Sequence, residues 1–98
     1  MKCRFAPSPT GLLHVGNVRS AVLNWAFCKK NNGNFILRID DTDKSRSTKE
    51  FEKKIKENLN WLGLNWDKTF NQSERIDNYI LKIEKLKKDG RLYPCFET

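Results

Sequence analysis

The sequence has no apolar run near the roughly 18 residues that would span a bilayer, which excludes a membrane protein. It has no apolar stretch with a small-residue cleavage site at its start either. Met1-Lys2-Cys3-Arg4-Phe5 moves straight into a strand-like segment, so the expected compartment is the cytoplasm. Cysteine is scarce: Cys3, Cys28 and Cys95 are odd in number and irregularly spaced. That excludes reading a disulfide framework or a metal-ligand pair from spacing, and the expectation is reduced, largely buried thiols. Internal repeats, low-complexity tracts and linkers are absent. At 98 residues there is room for one domain or part of one. The chain closes on Phe96-Glu97-Thr98 without a cap or polar tail and reads as interrupted.

Acidic residues are the minority charge, 12 against 19 Lys plus Arg, and the resulting +7 favours a polyanionic partner through long-range attraction. Many of the lysines stand in Lys53-Lys54 to Lys56 and Lys82 to Lys88. Their first account is the solvated face of amphipathic helices, which such helices need with or without a partner. Hydrophobic residues at 38% beside charged residues at 32% give a soluble globular balance.

What is present is a regular alternation. Lys2 to Ala6 is a strand candidate halted by Pro7-Ser8-Pro9-Thr10-Gly11, which continues neither regular structure. From Val15 the positions Val18, Val22, Trp25 and Ala26 recur at helical spacing, up to a left-handed stop in Asn31-Asn32-Gly33. Phe35-Ile36-Leu37-Arg38-Ile39 predicts a strand covered on both faces, although Arg38 interrupts it. Ser47 with Glu50 three residues on predicts a capping box. Phe51, Ile55, Leu59 and Leu62 then mark one helix face until Gly63. A third helix is predicted from near Ser73 to Asp89, with Ile76, Tyr79, Ile80, Ile83 and Leu86 on one side and Gly90 as its stop; Leu92 to Phe96 follows as another strand. Strand, helix and buried strand in this order form a parallel crossover, so the fold class is α/β.

In open parallel sheets ligands bind at the carboxyl ends of the strands. There the sequence places a loop rich in proline and glycine, then His14-Val15-Gly16-Asn17 at a helix start. Helix amides and the positive end of the macrodipole attract phosphate. Gly16 removes a side chain that would obstruct a nucleotide, and a ring N–H of His14 can donate toward charge growing on a phosphoryl group. A histidine tucked against neighbouring backbone is the competing account of that residue.

The run from Arg4 through Pro7-Ser8-Pro9-Thr10-Gly11 to His14-Val15-Gly16-Asn17 resembles the opening of glutamyl-tRNA synthetases, class I enzymes whose ATP loop is the HIGH motif. Arg38-Ile39-Asp40-Asp41-Thr42-Asp43 resembles the family's R-I-E-D-T-D segment. Trp61-Leu62-Gly63-Leu64, Gln72-Ser73-Glu74-Arg75 and Tyr93 through Phe96-Glu97-Thr98 extend the likeness across the chain. The resemblance implies an incomplete, Rossmann-like nucleotide-binding half-domain, with residues 1–98 as the amino-terminal part of the catalytic domain. Nothing matches the family's lysine-containing KMSKS loop or its anticodon-binding domain, so the chain alone is expected to be inactive.

The implied activity is formation of glutamyl-adenylate from glutamate and ATP, followed by transfer to the 3′ end of tRNA(Glu). Carried over by position, His14 is catalytic; Pro9, Thr10, His14, Gly16 and Asn17 contact ATP; and Arg4, Ala6, Ser8 and Asp40 hold glutamate. A guanidinium offers a planar fork for a carboxylate, which suits Arg4; a strand-end surface charge is its rival account. Asp40 stands where the family commonly has glutamate and would pair with the α-ammonium group. Arg38, Asp41 and Asp43 are equally readable as a local ion-pair network. Arg46 is read either as a contact for the tRNA acceptor end or as a solvated arginine. Magnesium is expected with ATP, carried on its phosphates. No zinc is expected, because Glu97 interrupts the Cys-x-Cys that some relatives begin at the position of Cys95. Trp61 and Trp66 are candidate base-stacking platforms, with packing the weightier account for Trp61. The parent is expected to be a monomer. Two alternatives remain at this stage: the paralogue that attaches glutamate to queuosine in tRNA, and a truncated noncatalytic module binding ATP or RNA.

Overall fold

The computed structural model describes residues 1–97 as alternating strands and helices. These are β1 (Lys2–Phe5), α1 (Val15–Lys30), β2 (Asn34–Ile39), α2 (Lys49–Trp61), β3 (Lys68–Asn71) and α3 (Ile76–Lys88), the last entered through a 3-10 turn at Gln72–Arg75. The strands form one parallel sheet in the order β1-β2-β3, with Phe5 opposite Leu37 and Ile39 opposite Asn71. The fold is α/β, as expected.

Side chains alternate across a strand, and β2 uses that alternation to build the core. Phe35, Leu37 and Ile39 share one face and are fully buried with Ala21 and Cys28 of α1 and Ile55 and Leu59 of α2. Each large aliphatic or aromatic side chain buried in this way contributes about 1.5–3 kcal/mol. Ile36 and Arg38 lie on the other face and are only half-buried. The expectation of a strand covered on both faces is therefore corrected: Arg38 does not interrupt the core run, because it is out of phase with it.

Other boundaries also shift for local reasons. The cap of α2 is Thr48, whose hydroxyl accepts from Phe51 N at 3.1 Å, and not Ser47. Ser47 Oγ is buried and has no hydrogen-bond partner among the described residues. The left-handed residue after α1 is Asn32, at φ 51°, whereas Gly33 answers to space: a Cβ there would lie 2.9 Å from Cys28 Sγ and 3.0 Å from Met1 O. Gly63 and Gly90, at φ 73° and 69°, close α2 and α3 as expected.

The strand β3 was not foreseen. Its four residues, Lys-Thr-Phe-Asn, are too few and too polar to show a period of two. The strand expected at Leu92–Phe96 is absent; this segment has no regular structure and is exposed. Pro94 supplies no N–H for a ladder there. Thr98, which closes the last stretch of family likeness, lies outside the described residues. The third helix is entered through a 3-10 turn that contains Ser73, whose N and Oγ donate to Asp41. No residue of α3 is buried, and its row of Ile76, Ile80, Ile83 and Leu86 stays 39–50% exposed. Trp61 is also corrected: it sits about 200° around the helix from Leu59 and is 86% exposed, while Trp25 and Trp66 pack on the core. Of the thiols only Cys28 is buried; Cys3 is half-buried and Cys95 exposed. Among the described residues no helix is long and apolar enough to cross a membrane.

Candidate active site

The loop between β1 and α1 holds its shape through proline carbonyls. Pro7 and Pro9 are buried, and each accepts a backbone hydrogen bond from a later segment, Pro7 O from Asp40 N (2.9 Å) and Pro9 O from Thr48 N (3.1 Å). The loop is thus tied to the end of β2 and to the start of α2. It delivers His14 as the N-cap of α1 with extended backbone, φ −118° and ψ 170°. The His14 ring folds over the first turn, where Nδ1 accepts from Gly16 N at 3.1 Å. In return His14 N donates to Asn17 Oδ1 at 3.3 Å. The first turn of α1 carries no acidic residue. The positive end of its dipole therefore faces outward without a neutralising side chain.

Beside this cap lies an open hollow of about 550 Å³, lined by Arg4, Ala6, Ser8, Thr10, His14 and Asn17 among others. Six of the residues singled out from sequence thus meet in one place, at the carboxyl end of β1. Among the described residues Arg4 makes no ion pair, so its guanidinium is uncommitted. Two further lining residues, Ser20 and Asn24, were not foreseen. A signal existed: Asn17, Ser20 and Asn24 recur at intervals of three and four and draw an uncharged polar stripe along one side of the helix. Asn24 Nδ2 donates to Ser20 O at 2.9 Å.

The remaining singled-out residues stand apart from the hollow. Pro9 lines a smaller one of about 210 Å³ with Asp41, Ser47, Glu52 and Ser73. Gly16 sits under the His14 ring, and its space serves that ring: a Cβ there would meet His14 Cε1 and Nδ1, both at 3.0 Å. Asp40 takes a two-pronged grip from Arg38, with Nε at 2.6 Å and an Nη at 2.9 Å. That hydrogen bonding pushes the Arg38 guanidinium above its usual range. Arg46 is exposed and held by Asp43 at 2.6 Å.

Asp41 and Asp43 do not share a network with Arg38; each has its own partners. Asp41 accepts from Ser73 N, Ser73 Oγ and Asn71 Nδ2. Burial pushes the Asp41 carboxyl up, but the bonds from Ser73 and Asn71 outweigh it and hold the group below its ordinary value. Asn71 Nδ2 also donates to Glu52 Oε2 at 3.0 Å, and Glu52 accepts from Lys56 and Lys49 as well. Burial opposes ionisation of Glu52 too, and those three donors reverse the balance. Asp43 is held down to about 2, first by the hydroxyl of Ser45 and then by Arg46.

A parallel sheet with an anion-attracting helix start and an arginine lining one hollow at a strand end is an α/β layout with its candidate site at the carboxyl edge of the sheet. The chain belongs to the family of class I tRNA synthetases (E and Q), whose catalytic domain it matches over residues 1–98. It is 61% identical to glutamate–tRNA ligase 2 of Gluconobacter oxydans over 98 residues, which are all of this chain and 22% of that protein. To the glutamate–tRNA ligase of Aquifex aeolicus it is 53% identical, again over its whole length and 21% of the relative. The crystal structure of a glutamate tRNA ligase from Elizabethkingia meningosepticum, in complex with its amino acid, superposes with a TM-score of 0.85 at 44% identity. That superposition covers 89% of this chain and 19% of that one. The chain thus spans about a fifth of the length of the curated relatives it matches.

Proposed function

We propose that residues 1–98 form the amino-terminal part of the catalytic domain of a glutamate–tRNA ligase, which joins glutamate to ATP as glutamyl-adenylate and then to tRNA(Glu). The observation that carries this reading is that His14 and Arg4 line one hollow at the carboxyl end of β1. With Nδ1 accepting from Gly16, the neutral imidazole carries its proton on Nε2. That N–H donates to a phosphoryl oxygen as negative charge collects there, while the helix amides attract the same charge. An oxygen of the glutamate α-carboxylate attacks the α-phosphorus, and the bond to pyrophosphate breaks. Arg4 takes the side-chain carboxylate with its fork, and Ser8 offers a hydroxyl beside it.

Asp40 has given two of its roughly four lone-pair sites to Arg38; the others are assigned to the α-ammonium group. Thr10 and Asn17 border the nucleotide, Pro9 shapes the loop from beneath, and Arg46 meets the acceptor end of the tRNA. Magnesium enters on the phosphates of ATP. The whole enzyme works as a monomer in the cytoplasm.

The test is a chimera of the Gluconobacter oxydans ligase in which the matching segment is replaced by this chain, assayed for exchange of labelled pyrophosphate into ATP. Exchange that requires glutamate is expected. Exchange supported equally by another amino acid, or none from a folded chimera, overturns the reading.

A further inference from the structure

The geometry points to Gly16 as a positioning residue for His14: its missing side chain lets the imidazole cap α1 and fixes which ring nitrogen carries the proton. This rests on the reading of His14 as a phosphate donor, but the tautomer lock itself is measurable without any substrate.

Three observations carry it. Nδ1 of His14 accepts from Gly16 N at 3.1 Å, and an acceptor nitrogen in a neutral imidazole leaves the proton on Nε2. A Cβ at residue 16 would stand 3.0 Å from both Nδ1 and Cε1 of that ring, and among the described residues no other side chain comes within 4 Å of it. With a side chain at residue 16 the ring must give by a few tenths of an ångström, which lengthens the 3.1 Å bond from Gly16 N. Finally, Asn17 Oδ1 accepts from His14 N at 3.3 Å, which holds the cap residue in the conformation that presents Nδ1 to the helix.

A purely structural role makes the opposite forecast for Gly16→Ala. Alanine is the better helix former, and the backbone at residue 16 does not adopt the left-handed conformation that would need glycine. On that account the substitution keeps or raises stability and leaves the imidazole unchanged. On ours the ring shifts on its cap and the bond that biases it weakens, while the fold survives.

The chain has a single histidine, so its imidazole nitrogen resonances need no assignment. Nitrogen-15 NMR of the neutral ring in the 98-residue chain, with the urea-unfolded chain as reference, reads the ratio of Nε2–H to Nδ1–H forms. The folded chain is expected to favour Nε2–H about five-fold more than the unfolded one, the bias of one net hydrogen bond. Gly16→Ala reduces that bias while the chain stays folded. Asn17→Ala reduces it, Asn17→Asp retains it through the same acceptor oxygen, and Val15→Ala, on the exposed neighbour, leaves it alone. A ratio equal to that of the unfolded chain, or a Gly16→Ala ring that keeps its bias, overturns the inference.

The same substitution in the chimera gives a second reading: kcat for exchange falls, by about five-fold or less, in a chimera that stays folded. Unchanged kcat defeats the lock's role in catalysis. If the bias is present but ATP leaves the Nε2 resonance and the exchange rate indifferent to His14, the lock stands and the assigned reaction falls.

Discussion

Two polar regions share the carboxyl end of the sheet and are built on opposite plans. Around the hollow beside β1, Arg4 has no ion-pair partner among the described residues and the His14 ring has a second nitrogen beyond the one that caps the helix. Around the ends of β2 and β3, Asp41, Asp43 and Glu52 are each held by donors from at least one other residue. The first region keeps groups available and the second uses them up. A charged group with its partners already in place braces the frame, and a charged group without them is ready for a ligand.

The comparison is broken most directly at the free groups. In the chimera, His14→Ala is expected to cut pyrophosphate exchange about 10²–10³-fold while costing only about 1 kcal/mol of stability as a lost cap. Equal losses in rate and stability would make His14 a brace. Arg4→Ala is expected to weaken glutamate binding by about 2–3 kcal/mol, read as a rise in the KM for glutamate with the KM for ATP unmoved.

The partnered side should behave in reverse. Asn71→Ala strips one amide from two carboxylates, Asp41 and Glu52, and is expected to lower stability by about 1–3 kcal/mol in urea unfolding. Substrate affinity should follow only through the fold. Next, Thr48→Ala is expected to cost about 1 kcal/mol, whereas Ser47→Ala costs nothing or stabilises, because its buried hydroxyl has no partner among the described residues. The reverse order would restore the cap that the sequence suggests.

Acid gives the smallest and most graded effect. Asp41, Asp43 and Glu52 all hold lowered pKa values in the fold. A group depressed on folding lends stability that is complete above its unfolded pKa and disappears as pH falls through its folded one. For Asp43 that window runs from 3.8 down to about 2. Urea midpoints should decline through it, and Asp43→Asn should flatten the lowest part of the curve. A wild-type midpoint that stays constant over this range would remove the brace.

Much of this was readable beforehand because it is local. The loop residues Pro7 to Gly11, the cap at His14 and the stops at Gly63 and Gly90 depend on neighbours in sequence, and they appear where expected. The sheet edge was not readable, since β3 owes its existence to pairing with β2 and its four residues carry no pattern of their own. The site divides in the same way. Arg4, Ala6, Ser8, Thr10, His14 and Asn17 come together because they lie on one continuous stretch of chain, from the end of β1 through the loop to the start of α1. Asp40, Asp41 and Arg46 are governed by contacts of which only the short-range ones show in sequence. The bond from Asn71 to Asp41 spans 30 residues and the one to Glu52 spans 19, beyond any motif. Gly16 was singled out for space, and the protein atoms that border that space belong to the ring next door.

The two proline carbonyls have one more effect. A residue that cannot donate can still anchor, and here Pro7 and Pro9 hold the amides of Asp40 and Thr48 from outside any regular ladder. The entropy of ordering the loop is therefore lost once, during folding, and not again at each encounter with a ligand. In hydrogen exchange those two amides should be as slow as their neighbours in β2 and α2, the mark of a binding loop that arrives already set.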